Sequence, residues 1–122
     1  MAQSKAIAGT AYISIDGKQY TLAGKCNVKP AEVVREGLVG LGGVAGFKET
    51  PVIPSIEIEL FGTEDTSFLA MNKITDATIT VELVNGRSYV LRNAWQSGEI
   101  DHDAAEGKGT VTFQGKKMEE MQ

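Results

Sequence analysis

The stretch Thr78-Ile-Thr-Val-Glu-Leu-Val-Asn-Gly-Arg-Ser-Tyr-Val-Leu-Arg-Asn-Ala-Trp95 contains the clearest fold signal in the chain. Isoleucine, valine and leucine alternate with threonine and glutamate in its first half, and this period of two is typical of a strand with one buried face. Asn85-Gly86 then predicts a turn. The stretch therefore predicts an antiparallel hairpin whose second strand runs from Ser88 to Trp95.

The same alternation continues outward from this hairpin in both directions. Asp16-Gly17 lies between two alternating runs and predicts another hairpin with a type I′ turn, because both central residues of that turn need positive φ. Further strands are predicted over Val28–Glu36, Val52–Phe61 and Thr110–Gln114. The chain is therefore predicted to be mainly β, an antiparallel β-sandwich or barrel of about six to eight strands with one short α-helix, in a single domain spanning residues 1–122.

The predicted helix lies in Thr63–Asn72, where the alternation stops. Cap-type residues come first and are followed by Phe68, Leu69 and Met71. Asp65 or Thr66 is the expected N-cap, because a short polar side chain there can accept hydrogen bonds from the first free N–H groups. We expect a helix of roughly two to three turns that closes one open end of the sandwich or barrel.

Composition excludes several classes of site. The chain has 122 residues, with 12 Lys and Arg, 16 Asp and Glu and a net charge of −4. This acidic excess argues against a protein whose main role is to bind phosphate groups. Cys26 and His102 are the only cysteine and histidine, so neither a disulfide nor a zinc site is expected. A reducing, cytoplasm-like compartment suits this composition.

Two motifs resemble known sites but lack essential parts. Gly40–Ala45 fits the dinucleotide pattern G-x-G-x-x-A, yet the chain continues toward another strand where that site needs a helix. The acidic stretch Glu99–Glu106 lacks the spacing of a calcium loop, so we interpret it as a solvated connection. With no nucleophile–base pair in view, we expect no enzyme, no metal and no cofactor.

The Gly-rich stretch from 37 to 50 is the least usual part of the sequence. It carries several apolar side chains, whereas a solvent-exposed loop is normally polar. We expect a long assembly loop at about 37–50, a flexible N-terminus at about 1–6 and a C-terminal tail at about 116–122. The predicted contacts with other subunits are Leu38, Val39, Leu41, Val44 and Phe47.

One face of the predicted strands is polar and acidic. It forms either a solvent face or the wall of a channel. The candidate wall residues are Glu57, Glu59, Thr78, Thr80 and Glu82. Trp95 is expected to anchor either the core or an interface.

The order of these features resembles the tail tube proteins of contractile-tailed bacteriophages, in particular the Mu-like branch. The resemblance covers nearly the whole chain, and its most specific pieces are Asp76–Gly86, Tyr89–Trp95 and the predicted helix at Thr66–Asn72. It implies a structural virion protein that forms hexameric rings, stacks them into a hollow tube and lets DNA pass through the lumen without sequence-specific binding. The candidate wall residues would then face that lumen.

The resemblance also implies partners and a location. The partners would be further copies of the chain, the tail sheath protein, and the tape measure and baseplate proteins, with no membrane span. The location would be the virion tail, assembled in the cytoplasm of the host bacterium. Two alternatives remain: a ring or tube protein of the type VI secretion kind that carries cargo in its pore, and an independent β-barrel that binds a small ligand.

Overall fold

The computed structural model describes residues 10–64 and 66–121. Within them it contains ten strands and one helix. In chain order these are β1 (Thr10–Ile15), β2 (Lys18–Tyr20), β3 (Leu22–Lys29), β4 (Val33–Gly40), β5 (Gly43–Pro51), β6 (Ser55–Phe61), α1 (Phe68–Asn72), β7 (Ala77–Leu83), β8 (Ser88–Asp103), β9 (Lys108–Gln114) and β10 (Lys117–Met121).

Eight strands form one antiparallel sheet that folds over on itself. The strand order is β2-β1-β7-β8-β9-β6-β3, and β10 also pairs with β8. The 16-residue strand β8 joins the two halves. The β7 half contains β2, β1, β7, β10 and the start of β8, and the β6 half contains the end of β8 with β9, β6 and β3. The fold is therefore sandwich-like and not a closed barrel, which confirms the predicted class with more strands than expected.

A bulge in β8 lets the strand pass from one half to the other. Asn93 has a φ of 52°, and the pairing of β7 with β8 shifts register between Ala77 and Ile79. A bulge of this kind increases the local twist and bends the strand. The Asn93 amide also donates to Asp76 Oδ1 at 3.1 Å, which holds the bend.

The core lies between the inner faces of the two halves. Every second residue of the central strands is buried, as the alternation predicts. The β7 half contributes Ile13, Ile15, Ile79, Val81 and Leu91, and the β6 half contributes Ile56, Ile58, Leu60, Val111 and Phe113.

The two predicted hairpin turns are present, but one has a different geometry. Asp16 and Gly17 both have positive φ, at 50° and 89°, as a type I′ turn needs. In the β7–β8 turn only Gly86 has positive φ, at 93°. Its N–H donates to the Leu83 carbonyl, and the Asn85 side chain accepts from Arg87 N–H. The turn predicted at Asn85-Gly86 is therefore confirmed, and its three-residue loop needs positive φ only at the last residue.

Several predicted boundaries also change. The strand predicted over Val28–Glu36 is interrupted at Pro30, where β3 has ended and β4 has not begun, because proline has no N–H for the ladder. The helix has only five residues, and its N-cap is Ser67, whose hydroxyl accepts from Ala70 N–H at 3.1 Å. Thr66 is therefore not the cap, and Asp65 lies outside the described residues.

Three stretches expected to be irregular are strands. Residues 37–50 belong mainly to the β4–β5 hairpin, and residues 99–103 continue β8. The expected tail contains β10, whose pairing with β8 is supported by ion pairs of Glu119 with Arg92 and of Glu120 with Arg87. The expected flexible stretch at 1–6 lies outside the described residues.

Candidate assembly surfaces

The β4–β5 hairpin is a separate two-stranded sheet. All residues from Val34 to Ile53 are exposed. At its base, Val52 N–H donates to the Glu32 carbonyl at 2.9 Å. A lone two-stranded sheet is only marginally stable in water. Packing against another surface would therefore stabilise this hairpin.

Charged pairs hold the middle of the hairpin, whereas its end is uncharged. Arg35 pairs with Glu49 at 3.4 Å, and Lys48 pairs with Glu36 at 3.6 Å. The Arg35 guanidinium also lies 5.8 Å from the centre of the Phe47 ring. These cross-strand pairs fix the register of the two strands. The stretch between them, residues 37 to 47, has no charged side chain.

The five predicted contact residues all lie on this hairpin and are exposed. Val39, Leu41 and Val44 at its end are 80%, 111% and 86% exposed, and Leu38 and Phe47 are about half exposed. Burying one such side chain contributes about 1.5–3 kcal/mol. Their role as contacts between copies stays a prediction.

The outer face of the β6 half carries glutamates that are paired with lysines. Lys25 Nζ lies 2.9 Å from Glu57 Oε1, and Lys108 Nζ lies 3.8 Å from Glu59 Oε1. The hydrogen bond from Lys25 holds the pKa of Glu57 below its usual value. The same face also carries Lys29, Asp101 and Asp103, and Thr112 lies beside Glu57 across the β6–β9 pair. The face is thus less acidic than the sequence pattern indicated.

The remaining candidate wall residues lie on the other half. Thr78, Thr80 and Glu82 occupy the outer positions of β7. The hydrogen bond from Tyr12 to Glu82 raises the pKa of the Tyr12 hydroxyl. Because the inner faces of the two halves meet in one core, their outer faces point away from each other. The five candidate wall residues therefore do not share one surface.

Trp95 lies on the outer face of the β6 half. It pairs with Gln114, whose neighbour Phe113 is in the core. The Trp95 side chain is half-buried and is not part of the core cluster. A core anchor is therefore not what the structure shows, and the interface role stays a prediction.

A groove of about 380 Å³ lies between α1 and the end of β8. We call it the helix groove, and it is lined by Phe68, Leu69, Asn72, Gly98, Glu99, Ile100 and His102. β8 bulges here, between Ser97 and Asp101 in its pairing with β9, and Gly98 has a φ of 75°. The Phe68 and His102 rings lie 4.6 Å apart.

The helix groove was missed by sequence reasoning. Its walls come from segments about thirty residues apart, and the bulge that shapes it depends on how β8 pairs with β9. Gly98 within a strand pattern was the one available signal, since an isolated glycine there often marks a bulge. His102 lies against an aromatic ring and not against a nucleophile.

The described part of the chain offers no metal site. No group of three or more His, Cys, Asp or Glu side chains there is placed to hold a metal ion. No helix of the described residues is long and apolar enough to cross a membrane.

The described residues thus form an antiparallel sandwich with an exposed apolar hairpin. A family model described as "Phage tail tube protein" matches residues 4–120. The chain therefore belongs to the phage tail tube protein family. A relative, the Mu-like prophage FluMu tail tube protein of Haemophilus influenzae, is 30% identical over 97 residues, which cover 78% of this chain and 81% of the relative. The resemblance to tail tube proteins is thus confirmed.

Solved structures share the fold at low sequence identity. The sheath/tube terminator of an extracellular contractile injection system, PVC, has a TM-score of 0.66 at 11% identity and covers 99% of both chains. The tube-terminating cap of the anti-feeding prophage has the same TM-score and identity, with coverage of 99% and 94%. The PVC sheath–tube complex gives a TM-score of 0.56 at 12% identity, with coverage of 90% and 86%. At these identities the likeness concerns the fold.

Proposed function

We propose that this tail tube protein polymerises as stacked hexameric rings into the inner tube of a contractile tail, through which DNA is ejected into the host cell. The observation that carries the proposal is the β4–β5 hairpin, which exposes apolar side chains over a segment of about 20 residues. A standard protein interface uses roughly 20–30 residues on each side. The hairpin is therefore large enough to form one side of a stable contact between copies.

The lumen wall, in this proposal, is the outer face of the β6 half. Two of its lysines would attract phosphate if they were free, but Glu57 holds Lys25 and Glu59 holds Lys108. Paired charges, threonines and the acids Asp101 and Asp103 give a surface with little attraction for DNA. Thr78, Thr80 and Glu82 would then lie on the outside of the tube, where the sheath protein surrounds it.

An unpaired strand edge supports the proposal that copies assemble into a ring. β3 ends the strand path of the β6 half, so one of its edges has no partner among the described strands. An open edge tends to pair with another chain, and closure into a ring removes it. Side-by-side pairing of these edges would give a continuous wall around the lumen. The tape measure and baseplate proteins would contact the inside and the end of such a tube.

Electron microscopy of the purified protein tests this function. We expect long hollow tubes with stacked rings, and we expect deletion of Leu38–Ala45 to leave a folded domain that does not polymerise. A matched control replaces Arg35 and Glu49 with alanine, which removes one of the hairpin's ion pairs but keeps its apolar end. A chain that stays monomeric at high concentration would overturn the proposal.

The lumen assignment needs its own measurement. Changing Glu57 and Glu59 to lysine should leave tubes intact but reduce infectivity of the assembled virions, because unpaired lysines would hold DNA. Glu82→Lys is the matched control on the other face. Equal infectivity of both variants would refute the assignment.

A second candidate is a tube of a tail-like injection particle that carries cargo other than DNA. The fold similarity to parts of an extracellular contractile injection system favours it. Protein and no DNA inside purified, intact particles would support this alternative.

A further inference from the structure

We propose that the helix groove of one copy receives the hairpin tip, residues 39–44, of the next copy. The proposal rests on the function proposed above and names the acceptor surface for the hairpin. The two surfaces match in chemistry: the tip carries Val39, Leu41 and Val44 with no charged side chain. The groove is lined by apolar and aromatic groups, and Leu69 on it is 71% exposed.

The size of the groove fits such a guest. Its volume of about 380 Å³ lies within the range of clefts that hold small apolar ligands, roughly 300–1,000 Å³. The β8 bulge at Gly98 opens it, and Phe68 forms a firm wall because its ring contacts both His102 and the Gly109 backbone. Because this wall is already ordered, little conformational entropy is lost there when a partner docks.

The two surfaces lie at opposite ends of the β6 half. The hairpin ends at Pro51, shortly before Ser55, where β6 begins. The groove residue His102 pairs with Gly109, next to the other end of β6 at Phe61. Seven residues of strand separate these ends by about 20 Å. A contact between different surfaces at opposite ends is head-to-tail, and head-to-tail contacts continue from copy to copy into rings or filaments.

Charge also permits this pairing. The segment 33–51 contains Arg35 and Lys48 against Glu36 and Glu49, so its formal charge is zero. Residues 99–106, which run past the groove, contain the acids Glu99, Asp101, Asp103 and Glu106, and Glu99 lines the groove itself. Each copy carries −4, so whole copies repel one another, whereas the neutral hairpin adds no charge repulsion where it meets the acidic end.

Disulfide trapping tests the docking. In a Cys26→Ser background, Leu41→Cys and Leu69→Cys in one chain should give a ladder of dimers, trimers and longer species on a non-reducing gel after mild oxidation. The control pairs Leu41→Cys with Val84→Cys, an exposed position in the β7–β8 turn, and should give little beyond dimers. A ladder of equal intensity in the control would overturn the docking.

A charge pair provides the second measurement. Leu41→Lys or Leu69→Glu alone should raise the critical concentration for tube formation about ten- to hundredfold, and the double variant should recover at least part of that loss. No recovery, with each variant folded by circular dichroism, would refute the docking. If wild-type tubes form but neither test succeeds, the docking fails and the tube function stands. If the wild-type protein forms neither rings nor tubes, the tube function fails first.

Discussion

Replacing Gly109 with alanine would test how closely α1 is held against the sheet. Gly109 is buried in β9 and pairs with His102. An added Cβ would lie 2.8 Å from Phe68 Cζ, 2.9 Å from Phe68 Cε1 and 3.2 Å from the Asp101 carbonyl oxygen. The Phe68 ring must therefore move, and its contact with His102 limits where it can go.

The expected cost follows from overpacking. Adding a methyl group to a filled site typically costs about 1–3 kcal/mol. The entropy of unfolding for 122 residues is about 0.26 kcal/mol/K, from about 2.1 cal/mol/K per residue. Gly109→Ala should therefore lower Tm by about 4–12 °C.

The assay is thermal unfolding by circular dichroism, with two companions. Gly37→Ala is the matched control, since a Cβ there meets nothing within 4 Å, and its Tm should stay near wild type. The double variant Gly109→Ala with Phe68→Leu removes the far end of the ring that the new methyl would touch. The two changes should therefore be less than additive. A Gly109→Ala protein within about 1 °C of wild type, or strict additivity, would refute the reasoning.

Three further predictions concern the core, the helix and pH. Phe113→Ala should lower the free energy of unfolding by about 3–5 kcal/mol in urea titration, because the side chain is fully buried; a loss below about 1 kcal/mol would contradict the packing. Ser67→Ala should cost about 0.5–2 kcal/mol by removing the side-chain cap of α1, whereas Ser67→Asp should keep the stability near wild type. Hydrogen bonds from Lys25 and Arg92 lower the pKa of Glu57 and Glu119, respectively. The stability that these carboxylates contribute is therefore present above their unfolded pKa of about 4.3. It is lost as pH falls through the lower folded values. Urea midpoints measured from pH 6 down to pH 3 should therefore fall less steeply in the double glutamine variant than in wild type.

The strands with one buried face were predictable because burial imposes alternation. β6, β7 and β9 bury every second residue, so a one-residue error would expose the whole set. The β4–β5 hairpin has no such constraint, since both its faces are exposed. Its glycines and uncharged side chains therefore resemble a loop in sequence, and only cross-strand pairs such as Arg35 with Glu49 identify it as a sheet.

β10 and the end of β8 were missed for a related reason. Glu119 and Glu120 resemble a solvated tail, but their partners Arg92 and Arg87 lie about thirty residues earlier in the chain. The acids of residues 99–103 resemble a connection, yet they lie on a strand whose polar side chains are exposed. In both cases the strand is set by pairing between distant segments, which local sequence does not record. The helix groove depends on the same distant pairing.

The position of the acidic residues, more than their number, explains how a chain of charge −4 can assemble. On the outer face of the β6 half, Glu57 and Glu59 are held by lysines, so these two acids add little repulsion between neighbours. The hairpin segment 33–51 is neutral, while residues 99–106 contain four acids, of which Glu99 lines the helix groove. Two acidic ends brought together would repel, since exposed charges interact over about 8–10 Å at ordinary salt. The charge distribution therefore disfavours contacts between two like ends and permits a contact between the neutral hairpin and the acidic end, which is the polarity that a growing tube requires.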